Sequence, residues 1–448
     1  MQMFNLDYKY IFHNKAYIFG LKKIKLDTIS DGEYKQEIRG FDCILNKKIS
    51  AEVILKLKKS PTHKMEPIAN NKKIAIIGTM GVPGGYGGFE TTAENLVNFH
   101  TRNAHDSKLT VWCSKKDFVE FPDCFGSANL SYVSLHANGY QSILYDMISL
   151  WQAIRSGHDS ILLLGTSGAL ALPLIRLLSR ARIYTNIGGI EWRREKWGIV
   201  ARVMLRASEW AAVRFSHKVI SDNQAISNHI SETYGGNCSL IPYGGDHALH
   251  SIKAYKLSND LPERFALALC RIEPENNIHL ILQAFEGHEI PLVFVGNWDK
   301  SIYGKELKVR YANSSNLHLL DSVYDPSILF ALRSRAFVYI HGHSVGGTNP
   351  SLVEMMHFGI PVLAYDCVFN RFSTEYKALY FDGSAKLEEL LNDLDPNEAY
   401  RLGAVMLEIA QRRYNWDDVG KAYFEILNSD QSSTRGFRIN FDKTNVSN

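Results

Sequence analysis

The groups best suited to chemistry sit in one run, His341-Gly342-His343-Ser344-Val345-Gly346-Gly347-Thr348-Asn349-Pro350-Ser351-Leu352-Val353-Glu354. The apolar stretch Ala336–Ile340 before it reads as a buried strand. Asn349 is a good helix N-cap and Pro350 suits the first helical position. The expected helix runs through Met355 and Phe358 and stops at Gly359, with Pro361 beyond. Strand, glycine loop and helix start leave peptide N–H groups without partners, and the helix dipole favours an anion there. Glu354 lies four residues after Pro350, one turn in and on the same face. A carboxylate so placed accepts hydrogen bonds from sugar hydroxyls while the amides of Gly347–Ser351 hold a diphosphate. The pattern predicts a nucleotide-sugar site.

Three other strand ends carry polar groups. In Cys270-Arg271-Ile272-Glu273-Pro274-Glu275-Asn276-Asn277, an expected strand delivers Arg271, whose guanidinium suits a diphosphate. The loop after Lys73–Ile77 holds Gly78, Gly81, Gly84, Gly85, Tyr86, Gly87 and Gly88, followed by Glu90. Its spacing is not that of a dinucleotide fingerprint, and the next strand ends without the acid that would hold a ribose. Nicotinamide chemistry therefore loses ground, and the glycines read as a place where backbone approaches a ligand. The third element, Thr185-Asn-Ile-Gly-Gly-Ile-Glu191-Trp192-Arg193-Arg194, brings an acid, an aromatic face and basic groups, a set that fits an acceptor carrying sugars and phosphate. Asp222-Asn223 and Tyr243-Gly-Gly-Asp246 fall near the expected domain junction and read as hinge residues.

The elements positioning these groups alternate. Strands are expected at Lys73–Gly78, Leu109–Cys113, Ile161–Leu164, Ile183–Ile187 and Lys218–Ser221, with helices at 90–100, 142–156, 169–178, 197–214 and 225–234. After a loop-rich passage the alternation resumes with strands at Phe265–Leu269, Leu292–Val295, Leu317–Leu319, Phe337–Ile340 and Val362–Ala364. Strand–helix alternation predicts α/β domains with parallel sheets, and ligands of such sheets bind beyond the strand C-terminal ends. A long amphipathic helix is expected over about 396–427, then a Ser/Asn-rich tail, 429–448, that reads as disordered.

Hydrophobic and charged contents of 45% and 22% are those of a soluble globular protein. Of the net charge of +3, residues 1–73 hold +7, leaving −4 for the body. This balance argues against a nucleic-acid partner. The basic segment, residues 1–71, reads as a disordered extension, an accessory piece, an anchor to a membrane surface, or upstream sequence. Six scattered cysteines without a C-x-x-C pair read as reduced thiols, not as a zinc or redox site. No signal peptide and no membrane-spanning run is evident.

Over about residues 72–428 the chain resembles glycosyltransferase family 4, in the branch of bacterial rhamnosyltransferase-like enzymes of capsule, O-antigen and cell-wall polysaccharide assembly. The resemblance rests on Gly78–Glu90, Gly189–Trp197, Arg271–Asn277 and His341–Glu354. It implies the GT-B fold, two Rossmann-like parallel-sheet domains facing a cleft. Residues 72–245 would take the acceptor, 246–405 would bind the nucleotide sugar, and a helix at 406–428 would cross back to the first domain. It further implies transfer with retention of configuration, no metal and no cofactor besides a nucleoside diphosphate sugar as co-substrate. Donor contacts would come from Gly84, Gly85, Arg271, Asn276, Gly347, Thr348, Asn349, Pro350, Ser351 and Glu354. Acceptor contacts would come from Tyr86, Glu90, Glu191, Trp192 and Arg193, and the catalytic groups would be Arg271, Glu191 and Glu354. The sequence departs from the family at Gly346, where the first of two paired glutamates is usual, at Asn276, where a lysine is usual, and at Gly188, where relatives often carry aspartate. The expected donor is dTDP-rhamnose and the acceptor a lipid-linked saccharide, with the chain cytoplasmic and peripheral at the inner membrane. A sugar-nucleotide epimerase of the same fold and a non-catalytic donor-binding subunit are the alternatives.

Overall fold

The computed structural model describes residues 26–28, 34–36, 72–85, 87–103, 106–194, 197–250, 255–257 and 260–429. Strands β1 (Leu26–Thr28) and β2 (Tyr34–Gln36) pair antiparallel. The other readings of residues 1–71, Cys43 and the tail beyond Ser429 lie outside the described residues. Both large sheets belong to one compact unit, residues 69–448.

The first lobe runs β3 (Lys73–Ile77), α1 (Gly88–Arg102), β4 (Lys108–Ser114), β5 (Cys124–Phe125), β6 (Ala128–Val133), α2 (Ser142–Arg155), β7 (Ser160–Leu164), α3 (Leu172–Leu178), β8 (Arg182–Ile187), α4 (Ile199–Phe215), β9 (Lys218–Ser221), α5 (Gln224–Tyr234) and β10 (Cys238–Leu240). Its sheet order is β10-β9-β8-β7-β3-β4-β6-β5, and every pairing is parallel except that of β5 with β6. Strands such as Ser160-Ile-Leu-Leu-Leu164 are buried along their whole length, because helices cover both faces.

The second lobe runs β11 (Phe265–Leu269), α6 (Ile278–Phe285), β12 (Leu292–Val295), α7 (Ile302–Arg310), β13 (Leu317–Leu320), α8 (Pro326–Arg335), β14 (Ala336–His341), α9 (Pro350–Met356), β15 (Val362–Tyr365), α10 (Val368–Ser373), β16 (Leu379–Phe381) and α11 (Ser384–Asp393). Its six strands are all parallel, in the order β13-β12-β11-β14-β15-β16.

The continuous helix expected over about 396–427 is two, α12 (Pro396–Arg413) and α13 (Trp416–Asn428). Asn415 caps the second, accepting from the Asp418 N–H at 2.8 Å. The break places the crossing to the first lobe at Tyr414–Trp416, later than residue 406. Helix α12 packs on α9, whereas α13 packs on α1. Phe424 stacks on Phe99 with ring centres 5.8 Å apart, and Ser160 Oγ donates to the Leu427 carbonyl at 2.8 Å. One apolar core therefore runs from Ile74 and Leu96 through Tyr243 and Trp416 to Leu352 and Tyr339.

Candidate active site

The C-terminal ends of the two sheets face each other. A Cβ on Gly88 would lie 3.5 Å from Pro350 Cγ, and one on Gly189 would lie 3.8 Å from Gly346 Cα. The closest approach is at Gly347. There a Cβ would fall 2.1 Å from Asp222 Oδ1 and 2.7 Å from the Gly188 carbonyl, so only glycine fits. Thr348 Oγ1 donates to the Asp222 carbonyl across the same seam.

On the second lobe the loop between β14 and α9 has the expected form, with Pro350 first in the helix. Asn349 Oδ1 accepts from the Ser351 N–H at 3.2 Å and from Ser351 Oγ at 2.9 Å. This geometry corrects the predicted cradle. Pro350 has no N–H, the Ser351 N–H already has its partner, and α9 is only seven residues long. Among the described residues, the N–H groups of Val345, Gly346, Gly347 and Asn349 have no backbone or side-chain acceptor within hydrogen-bonding distance. The available donors are loop amides within Val345–Asn349, two residues N-terminal to the expected run.

Arg271 follows β11 into the cleft. Its side chain is 40% exposed and its nearest acid, Glu273, is 3.8 Å away, so the guanidinium is open to an anion. Asn276 does not face outward. It is buried, and its Nδ2 donates to the Arg271 carbonyl at 2.7 Å, so it holds the turn that presents Arg271.

Beside Arg271 stand two residues that the sequence reading quoted in its motif but gave no role. His341 and His343 stack 4.5 Å apart, nearly parallel. Burial holds the His341 imidazole down at about 3, and burial with the nearby His341 and Arg271 holds His343 well below its ordinary value. Both rings are neutral near pH 7. His341 Nε2 and His343 Nδ1 are buried without a partner among the described residues. Their signal was a pair of histidines two apart where a strand enters a glycine loop, which places both at the strand's C-terminal end.

Glu354 is buried, with one partner on each carboxylate oxygen. One carboxylate oxygen pairs with the buried Arg333, and the other lies 3.3 Å from His247 Nε2. Burial alone would raise this carboxyl, but the charge of Arg333 and the His247 hydrogen bond hold it below its ordinary value. Trp416 Nε1 donates to His247 Nδ1 at 2.9 Å, which makes Nε2 the proton-bearing nitrogen turned to Glu354. A chain of four side chains thus ties the acid to the interlobe connection and to α13.

On the first lobe Gly84 and Gly85 lie in the loop as expected, with the Gly84 N–H bonded to Glu94 at 2.7 Å. Tyr86 lies outside the described residues. Glu90 turns away from an acceptor. It is buried and takes the Met80 N–H at 3.0 Å, bracing the loop, and burial pushes its carboxyl above the ordinary value against that bond. Glu191 does reach the cleft. It pairs with Arg194 at 3.1 Å, which also bonds Glu275 of the second lobe at 3.3 Å. Trp192 is drawn down onto α4, its Nε1 donating to Glu209 at 3.2 Å with Arg193 and Arg206 against its ring.

Gly188 has a neighbour that fills part of its missing side chain. A Cβ there would lie 3.5 Å from Asp222 Oδ2. Asp222 Oδ1 is buried without a partner among the described residues, and burial raises the carboxyl to about 7. Asn223 next to it is a lobe tie, donating to the Phe369 carbonyl at 3.2 Å and to Ser373 Oγ at 3.1 Å.

Residues 253–373, which carry Arg271, both histidines and Glu354, match the family Glycosyl transferases group 1. These findings support a glycosyltransferase. Residues 71–246 match a domain of unknown function, DUF1972. No curated protein matches the chain in sequence. Among solved structures, sucrose-phosphate synthase from Thermosynechococcus elongatus is similar at TM-score 0.65 and 17% identity, over 79% of this chain and 98% of that one. HepE of Anabaena, in complex with UDP, gives 0.57 and 16%, over 80% and 99%. The catalytic domain of starch synthase IV from Arabidopsis thaliana, bound to ADP and acarbose, gives 0.60 and 13%, again over 80% and 99%. The fold is GT-B.

Proposed function

We propose that the protein transfers a hexose or deoxyhexose from a nucleoside diphosphate to an acceptor hydroxyl, as a retaining enzyme of the family 4, rhamnosyltransferase-like branch. The observation that carries this reading is the open guanidinium of Arg271, set beside two neutral histidines and a loop of unbonded amides at the meeting of the two sheets. HepE and starch synthase IV, alike in fold, hold UDP and ADP, which supports a nucleoside diphosphate as the leaving group.

As the bond from the anomeric carbon to phosphate oxygen breaks, negative charge grows on the diphosphate. Arg271 and the amides of Val345, Gly346, Gly347 and Asn349 oppose it with fixed positive ends, the form of stabilisation worth most in a site that excludes water. His341 and His343 offer neutral ring nitrogens to sugar or phosphate oxygens. The acceptor oxygen bonds to the same carbon from the side the phosphate leaves, and the phosphate takes its proton. That route needs no side-chain base and no metal. Glu354 keeps lone pairs for ribose hydroxyls while Arg333 and His247 fix its position. Asp222 supplies a carboxyl group next to Gly188, and Glu191 supplies one held by Arg194.

We further propose dTDP-rhamnose as donor and a lipid-linked saccharide of surface-polysaccharide synthesis as acceptor, at the cytoplasmic face of the membrane. A thermal-shift screen of dTDP-rhamnose against UDP- and GDP-linked hexoses tests the donor, since a ligand that binds only the folded chain raises its midpoint. The site is tested by Arg271→Gln and Glu354→Gln. Alanine at 354 would strand a buried arginine and confuse folding with catalysis. Arg271→Gln should keep its melting point and lose about 100-fold or more in kcat/KM, the range for removing one transition-state donor. Full transfer by both variants would sink the assignment. An epimerase would interconvert the donor sugar with no acceptor present, and a non-catalytic subunit would bind donor and turn over nothing.

A further inference from the structure

Three neighbouring helices of the first lobe turn an apolar surface outward. The turn Ser167–Ala171 packs against both α2 and α4, and α3 packs on α4, so the three lie side by side. Trp151 on α2, Leu174 and Leu177 on α3, and Ile199, Val200 and Val203 on α4 are all exposed, Leu177, Ile199 and Val200 by more than 80%. Single exposed leucines are ordinary, but a patch spanning adjacent helices marks a surface that something covers.

Charge identifies what covers it. The three helices carry five arginines, Arg155, Arg176, Arg202, Arg206 and Arg214, and all five are exposed. Their two acids, Asp146 and Glu209, are both buried. Exposed apolar side chains that share their helices with exposed arginines and no outward carboxylate fit a layer that is negative at its surface and hydrocarbon beneath. A second copy of this chain fits poorly, because a two-fold contact would set the five arginines against themselves. Among the described residues no helix is long and apolar enough to cross a membrane, so the contact is one of lying on the surface.

We propose that α2, α3 and α4 form a docking face for an anionic lipid bilayer, with Leu174, Leu177 and Val203 entering the headgroup–acyl boundary and the arginines meeting lipid phosphates. The face holds whichever reaction the cleft performs, and none of its residues belongs to the basic segment before residue 74.

The test is sedimentation of the full chain with vesicles of phosphatidylglycerol mixed with phosphatidylcholine, and with phosphatidylcholine alone. Binding to the anionic vesicles only, weakened by salt, is expected. Leu177→Glu/Val203→Glu and, separately, Arg155→Glu/Arg202→Glu should each weaken it about tenfold or more with an unchanged melting curve, since all four side chains are exposed. Ile302→Glu, an exposed apolar position on α7 of the other lobe, should bind like the parent. The proposal is overturned if the parent ignores anionic vesicles, or if both double variants bind as it does, which would leave the attraction with residues 1–73. It is also overturned if the parent is a dimer that Leu177→Glu/Val203→Glu converts to monomer.

Discussion

At the scale of single residues, the carboxyl of Asp222 makes the sharpest prediction. Burial holds it at about 7, so the folded chain keeps a proton that the unfolded chain releases near the ordinary Asp value. The folded state is therefore favoured below that lower value and loses stability as pH rises through 7, with no further loss above. Asn at 222 removes the titration. The melting point of Asp222→Asn relative to the parent should climb between about pH 4 and pH 7 and then level off. Parallel profiles would show that the carboxyl titrates normally. Gly188, beside it, was marked as a departure from the sequence alone. That Asp222 fills the gap was not legible, since the two meet only where β8 and β9 end side by side. Arg271 and the Asn349 cap were legible because a local pattern of strand, turn and cap fixes them. The partners of Glu354 were not, because Arg333 and His247 come from other elements and no spacing connects them.

At the scale of elements, the link from α13 to the site is open to one conservative change. Trp416→Phe keeps the ring against Tyr243 but removes the N–H bonded to His247. A lost buried hydrogen bond costs about 1 kcal/mol. His247 is then free to carry its proton on either nitrogen, so a lower melting point should come with several-fold weaker donor binding. Unchanged donor affinity would mean that the chain of bonds ends at His247. Fully buried parallel strands such as β7 and β12 stood out as unbroken apolar runs. Strand β6, Ala-Asn-Leu-Ser-Tyr-Val, did not, because its middle is half-exposed and its pattern mixed. The division between α12 and α13 had a signal in Asn415-Trp-Asp-Asp, a cap followed by first-turn acids. The apolar period continues through it and hid the break.

At the scale of the whole molecule, the two lobes are not separate bodies joined by a tether. Gly420 of α13 lies so close to α1 that a Cβ would come within 2.4 Å of the Phe99 ring. Gly420→Val should cost about 1–3 kcal/mol by overpacking, read as a lower midpoint in thermal denaturation. If the midpoint stays put, α13 is a loose appendage. The alternation of strand and helix made both sheets legible, yet it carried no hint that one core passes through them.

That last helix has a consequence for how the chain is made. Residues 416–428 leave the ribosome after both sheets have been made, and they cover Phe99 and the start of β7 in the lobe that precedes the other in the chain. The earlier lobe must wait, with part of its interior wet, until that helix has been made. A chain that stopped before Trp416 would hold two unfinished halves instead of one sound domain and one missing one.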